Sequence, residues 1–331
     1  MNVAIIGITG MVGKKILEIL SNSILPINKL LLSASKRSYD EDIKWKNKKI
    51  KIKSIEETLA NKPDLVFFSA GNECSKEWVE KFSSNGSLVI DNSSVFRLDK
   101  NIKLIVPEIN FNLLTKDDKI ISNPNCSTIQ LVMVLSPLDK LYKINRVIVS
   151  TYQSVSGSGK EAVRQLTNEK KGIVDEMYYP YEIYNNCIPH CDTFHPSGYT
   201  REELKLINET KKIISDSEFD ITATAVRVPV IRSHSESVNI SFQKKPSVAE
   251  IRKVINESKG LILRDFPETN TYPMPKYATD KDEVFVGRIR EDNSYKNSVN
   301  LWIVSDNLRK GAAKNAIQIA EKAYLNGLLK F

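Results

Sequence analysis

The sequence has little cysteine and little histidine: four and three residues in 331. Four scattered thiols (Cys74, Cys126, Cys187 and Cys191) do not make a disulfide framework in a chain this long, so a reducing, cytoplasmic setting is expected. No apolar run is long enough to cross a bilayer. The first residues lack the charged, apolar and small-residue segments that in order mark a secretory signal. Internal repeats, low-complexity tracts and flexible linkers are missing as well. Charge of one sign is in modest excess, 48 Lys+Arg against 40 Asp+Glu, giving +8. The signs are mixed along the chain, so neither nucleic acid nor membrane is called for as a partner.

With 41% hydrophobic and 27% charged residues, the composition is that of a folded globular protein. At roughly 150 residues per domain, the length suggests about two domains. Strand-like and helix-like runs alternate early. Val3–Ile6 is apolar, and Met11–Leu20 repeats apolar residues at helical spacing. Lys29–Ser33, Leu65–Ser69, Ser87–Asp91 and Lys103–Val106 read as short strands. This order implies a parallel, doubly wound sheet of the Rossmann type. Later strands over Arg146–Tyr152, Ile221–Val228, Ser237–Phe242, Val284–Ile289 and Val299–Ser305 are separated by helical stretches over Lys160–Lys171, Glu202–Ser215 and Val248–Ser258. They imply an α+β second domain. An Ala-rich helix is expected over Lys310–Leu328. Lys44–Lys53 is basic and alternates with Ile and Trp, reading as an exposed strand with a solvated face.

Three of only 13 glycines (Gly7, Gly10, Gly13) fall in the first 13 residues, in GITGMVG. A strand must turn sharply into a helix there. Glycine lets the backbone approach a pyrophosphate, and the helix N-terminus supplies N–H donors. The spacing is one residue wider than the usual dinucleotide fingerprint. No acidic residue closes the second strand; Ser35, Lys36, Arg37 and Ser38 offer cations and hydroxyls, which suit the extra phosphate of NADP. Asp40 stands nearby.

Cys126 lies in SNPNCSTIQ, a tight turn running into a helix. A cysteine at a helix N-terminus gains thiolate character, and nearby N–H groups can hold an oxyanion. The alternative is a small buried hydrophobe. The cluster Cys187, His190, Cys191 and His195 in CIPHCDTFH has ligand types that suit zinc, but its spacing matches no familiar finger and it is read as a loop without metal.

The segments VAIIGITGMVG, SAGNECSKEW, VIDNSSVFRLD, VPEIN, NPNCSTIQ, YQSVSGSGK, VRVPV..SHSESV, VGRIR and LWIVSDNLRKGAAKNAIQIAE run in order along nearly the whole chain. On them the sequence resembles the bacterial aspartate-β-semialdehyde dehydrogenases. The resemblance implies a cytoplasmic NADP-dependent homodimer that reduces β-aspartyl phosphate to aspartate β-semialdehyde and phosphate, supplying lysine, diaminopimelate, threonine and methionine biosynthesis. It implies Cys126 as nucleophile, Gln153 as a substrate-positioning residue and His234 as acid/base. Arg227 and Glu202 would read the substrate's carboxylate and amino group, and Arg97 and Lys205 would hold phosphate. For NADP it implies Gly7, Thr9, Gly10, Met11, Val12, Gly13, Ser35, Arg37, Ser38, Ser69, Gly157 and Asn315. The expected domains are 1–125 plus 308–331 for the cofactor, and 126–307 for catalysis and dimerisation.

Three places depart from the family pattern: Tyr39-Asp40 after Ser38, Arg232-Ser233 before His234, and the basic Lys44–Lys53. Rival readings are an N-acetyl-γ-glutamyl-phosphate reductase, which shares fold and chemistry, and a non-catalytic NADP-binding regulator. The presence of Cys126, Gln153, Arg227 and His234 together speaks against the second.

Overall fold

The computed structural model describes residues 1–39, 41–215 and 218–329. Asp40 lies outside the described residues. The chain forms two compact units, Met1–Pro124 with Ala312–Phe331, and Asn125–Gly311.

The first unit is wound on a sheet. Its elements are β1 (Asn2–Ile6), α1 (Met11–Leu20), β2 (Lys29–Ser33), β3 (Asp42–Trp45), β4 (Lys48–Lys53), α2 (Ile55–Ala60), β5 (Leu65–Phe68), α3 (Asn72–Ser84), β6 (Leu88–Asp91), β7 (Lys103–Leu104) and β8 (Ile120–Ser122). The strand order is β3-β4-β2-β1-β5-β6-β8-β7. All pairs are parallel except β3 with β4. The runs NVAII, LVFF and LVID are apolar because helices cover both faces of such a sheet. The expected single strand over Lys44–Lys53 is instead a hairpin. Ile43, Trp45 and Ile50 pack against the core, while the lysines between them face out. The C-terminal helix, Lys314–Leu325, starts later than expected because Arg309–Ala313 forms a wider helical turn. It gives Ala316, Ile317, Ile319, Ala320 and Ala323 to the same core as Ile16 and Leu20 of α1.

The second unit comprises α4 (Cys126–Tyr142), β9 (Ile144–Gln153), α5 (Lys160–Lys170), α6 (Arg201–Ile213), β10 (Asp220–Arg227), β11 (His234–Phe242), α7 (Val248–Glu257), β12 (Leu261–Leu263), α8 (Pro275–Ala278), β13 (Val284–Glu291) and β14 (Ser298–Ser305). Its mixed sheet runs β10-β9-β11-β14-β13-β12. Helix α4 is buried on nearly every side, so its sequence is apolar almost throughout rather than striped. Register gathers chemistry at one end of the sheet. Gln153 and Arg227 are partners at the ends of parallel β9 and β10, and His234 opens β11 opposite the last residue of β14, Ser305.

Candidate active site

Cys126 is the first residue of α4, with Asn125 as extended N-cap. No side chain caps that end, so the first-turn N–H groups remain available to an anion. The thiol points at Asn125 Oδ1, 3.6 Å away. Gly311 lies directly against it: a Cβ there would come within 2.9 Å of the Cys126 Cβ. The turn carrying Gly311 is nucleated by the fully buried Asp306. One carboxylate oxygen accepts the N–H groups of Leu308 and Arg309, at 2.9 and 3.1 Å. The other pairs with Arg232 at 2.5 Å and accepts the Asp280 N–H at 2.8 Å.

Helix α6 supplies the acids. Thr200 caps it in a reciprocal box with Glu203, which fixes where the helix starts. Glu202, Lys205 and Glu209 then fall on one face by helical spacing. Glu209 accepts the Asn125 N–H at 2.7 Å. Glu202 accepts from Asn125 Nδ2 at 2.8 Å and from Gln153 Nε2 at 3.1 Å, and Gln153 also donates to Ser127 Oγ at 2.9 Å. Burial opposes the Glu202 charge, but Lys205, the Asn125 and Gln153 amides and Arg227 outweigh it and hold the carboxyl below its usual range. Lys205 bridges Asp192 at 2.5 Å and Glu202 at 3.4 Å.

Arg227 is buried at the end of β10, and its Nη1 donates to Ser154 O at 2.7 Å. Burial works against its charge. The acidic groups around it, Cys191, Tyr179, Glu202 and Cys126, override that and keep it firmly protonated. The Tyr179 ring lies under the guanidinium, 6.0 Å from centroid to carbon, with its hydroxyl donating to Ser158. The Arg227 Nε has no partner.

His234 is fully buried. Its Nδ1 accepts the Ser154 backbone N–H at 3.0 Å and lies 3.1 Å from Ser154 Oγ. Its Nε2 has no partner. Burial, with help from Arg227, lowers the ring's pKa to about 3. Gly157 packs closely against this pair: a Cβ there would meet His234 Nε2 at 3.1 Å and Arg227 Nη1 at 3.2 Å. The His234 Nε2 and the Arg227 Nε are buried polar atoms left for a ligand to satisfy. Cys126, Gln153, Glu202, Lys205, Arg227, His234 and Gly157 thus all belong to the second unit. Sequence reading did not single out Ser154, Tyr179, Glu209, Asp306 or Asn307. Ser154 and the Asp306-Asn307 pair do stand inside the quoted segments YQSVSGSGK and LWIVSDNLRKG, which was the available signal.

In the first unit, Gly7 adopts φ +88°, and a Cβ there would strike Ser69 O at 2.6 Å. A Cβ on Gly13 would meet Gly7 O at 2.3 Å. Glycine is required at both. Gly10 is the N-cap of α1 and provides no side-chain cap, so N–H groups beyond Thr9, at Met11 and Val12, can receive a pyrophosphate. Ser35 precedes a short turn over Lys36–Ser38; Arg37 is exposed and Ser38 buried. Arg97 is buried and donates to Asn92 O at 2.8 Å. Asn315 is buried and donates to Ile105 O at 3.0 Å and Asn123 Oδ1 at 2.7 Å.

The CIPHCDTFH residues do not assemble. Among the described residues no group of three or more His, Cys, Asp or Glu could hold a metal. His190 stacks on Phe194, His195 Nδ1 meets Ser197 Oγ, Cys191 is buried and Cys187 is exposed. Among the same residues no helix is long and apolar enough to cross a membrane.

Residues 2–116 match the family model for the semialdehyde dehydrogenase NAD binding domain, and residues 135–310 match that for the semialdehyde dehydrogenase dimerisation domain. The aspartate-semialdehyde dehydrogenase of Aquifex aeolicus is 44% identical, over 99% of this chain and 99% of its own. The chain belongs to the aspartate-semialdehyde dehydrogenase family. As a member of that family it is an oxidoreductase with a nicotinamide-dinucleotide-binding unit, and the two-domain α/β fold expected of the family holds. Aspartate semialdehyde dehydrogenase II from Vibrio cholerae, solved in complex with ASA, superposes at a TM-score of 0.94 with 38% identity and 98% coverage of each chain. The Candida albicans enzyme, solved with NADP, superposes at 0.78 with 25% identity and 99% coverage of each.

Proposed function

We propose that the protein catalyses reduction of β-aspartyl phosphate to aspartate β-semialdehyde and phosphate with NADPH, through a thioester on Cys126, as a cytoplasmic homodimer supplying aspartate-family amino acids. The observation that carries this reading is the set around Cys126: a thiol at an uncapped helix N-terminus, with buried Arg227, Glu202, Gln153 and His234 supplied by strands and helices of the same unit.

The charges match the substrate. Arg227 presents a planar, firmly charged guanidinium to the α-carboxylate. Glu202, held ionised, reads the α-ammonium, with Gln153 bridging it to the head of α4. Lys205 and Arg97 are cations suited to phosphate oxygens. Cys126 attacks the acyl carbon, the C–O bond to phosphate breaks, and the first-turn N–H groups of α4 steady the developing oxyanion. The nicotinamide, when bound, supplies the hydride. Gly7, Gly10 and Gly13 open the backbone for its pyrophosphate, and Arg37 with Ser35 and Ser38 meets the 2′-phosphate.

The test is NADP reduction by aspartate semialdehyde, with and without inorganic phosphate, beside the N-acetylglutamate semialdehyde counterpart. Phosphate-dependent turnover of the first and little of the second is expected. Cys126→Ser should lose roughly 10³-fold or more of kcat while still binding NADPH. Preference for the N-acetylated aldehyde, or normal turnover in Cys126→Ser, would overturn the reading.

A further inference from the structure

The helical turn over Arg309–Ala313 is wider than an α-helical one, and one residue sets its width. The Gly311 N–H bonds the Asp306 carbonyl at 3.1 Å, five residues back, where an α-helix reaches back four. The Asp306 carboxylate takes the Leu308 and Arg309 N–H groups on one oxygen, and Arg232 and the Asp280 N–H on the other. Arg232 also meets Asp280 Oδ1 at 2.9 Å, and Arg309 Nε donates to Asp282 Oδ1 at 2.6 Å. Asn307, next in the chain, accepts the Ser233 N–H at 2.9 Å. The turn is therefore tied both to residues 280–282 and to residues 232–233. A fully buried carboxylate is costly to keep unless it is charge-paired and hydrogen-bonded, and here those bonds converge on a single turn.

What this turn meets is Cys126. Gly311 is not in the left-handed region, so its backbone conformation would accept alanine; space would not. A Cβ on Gly311 would stand 2.9 Å from the Cys126 Cβ and 3.3 Å from its Cα. The residue before the thiol, Asn125, is held by Glu209 and Glu202 of α6. The head of α4 is thus fixed by two elements, α6 through Asn125 and the wide turn through Gly311. We propose that Asp306 and Gly311 are positioning residues for the nucleophile: Asp306 fixes the turn, and the bare backbone of Gly311 is the wall that keeps the Cys126 side chain at the uncapped head of α4.

The consequence is chemical. At that place the first-turn N–H groups favour a thiolate, and a sulfur pushed off the helix axis loses their help. Both residues act through Cys126 and not on the substrate, so their loss should appear in the reactivity of one thiol and in kcat, with binding kept.

This inference deepens the proposed function and rests on it for the role of Cys126 as nucleophile, but its first test needs no turnover. The chain has four cysteines, so alkylation by iodoacetamide can be followed residue by residue by mass spectrometry, with the exposed Cys187 as internal reference. In Gly311→Ala and in Asp306→Asn, Cys126 should react at least about fivefold more slowly than in wild type, with Cys187 unchanged. A smaller change at Cys126 in either folded variant overturns the proposal. Thermal melts read the contact itself. Gly311→Ala should lower Tm, and by less than about half as much in a Cys126→Gly background, which removes the facing Cβ. Equal shifts in the two backgrounds would show that Gly311 is no wall for Cys126. In turnover of aspartate semialdehyde, kcat should fall by roughly 10²-fold in Gly311→Ala and roughly tenfold in Asp306→Asn, with KM within about threefold and NADPH affinity within about twofold. A loss in KM or NADPH affinity with kcat kept would make the turn merely structural and sink the idea. If aspartate semialdehyde is not turned over at all, the proposed function falls, while alkylation and melting still decide this inference. Should Asp306→Asn not fold, Arg232→Gln loosens Asp306 from its other side and takes its place in the same measurements, with the same slowing of Cys126 expected; no slowing would end the role of Asp306.

Discussion

Glu236 departs from the ordinary behaviour of its residue type. It lies two residues past His234 on the same face of β11, opposite Thr151 in register. It is fully buried, and neither carboxyl oxygen has a partner. Burial pushes its carboxyl well above the usual range; the Gln130 amide on α4 offsets this only in part and does not reach hydrogen-bonding geometry. The folded protein thus holds Glu236 neutral at pH values where the unfolded chain ionises it. In that window the unfolded state binds fewer protons, so stability falls as pH rises from the ordinary glutamate value, by roughly 1.4 kcal/mol for each unit the two states differ. Glu236→Gln removes this dependence. Thermal melts should show the variant gaining on wild type between about pH 5 and about pH 8, with the gap closing near pH 4. Parallel melting curves across that range would show that Glu236 is not held neutral. At this scale Cys126 is singled out by its place in SNPNCSTIQ, and Arg227 only by the family resemblance. Neither reading singles out Glu236 or Asn307, because an unpartnered acid or a bridging amide is defined by what the fold places beside it.

Secondary-structure elements were legible to the degree that their burial is periodic. Met11–Leu20 and Lys29–Ser33 came out with the bounds the structure gives. Helix α3 gives little signal in sequence because its apolar stripe is thin: Val79 and Phe82 are its only buried apolar side chains. The Lys44–Lys53 segment reads as one strand because alternation continues across the turn at Lys46, which takes φ +51° without a glycine to mark it. The turn after β2 carries a prediction of its own. Ser35, just before the turn, and Arg37 within it are exposed past the C-terminal end of a parallel strand, where dinucleotides bind. Arg37→Gln should raise the NADPH dissociation constant by roughly tenfold while leaving NADH within about twofold. Fluorescence titration of both cofactors would read it, and an equal effect on the two would exclude contact with the 2′-phosphate.

For the molecule as a whole, the first unit is discontinuous in sequence. Its core takes Ala316, Ile317, Ile319, Ala320 and Ala323 from the C-terminal helix and Ala313 from the turn before it, and Asn315 bonds Asn123 and Ile105 of the same unit. A large aliphatic side chain buried there is worth roughly 1.5–3 kcal/mol, and whole domains are stable by only about 5–15 kcal/mol. A chain ended after Gly311 should therefore lose dinucleotide binding and show one melting transition fewer or lower by calorimetry. Native NADPH affinity in that truncation would refute the dependence. The general plan is readable from the order of strands and helices; that the last helix belongs with the first unit is implied only by the family resemblance, because tertiary packing sets it and no local pattern encodes it.

That discontinuity also sets an order of events during translation. Residues 125–311 are contiguous and can close their core as they leave the ribosome. The segment before them must wait for residues made later. The nascent chain is finished in its middle before its beginning, and strands as apolar as LVFF stay without their full cover until synthesis has passed the final helix. Slow elongation through the middle of the message would lengthen that wait, and it is the N-terminal part of the chain that would then aggregate or occupy a chaperone.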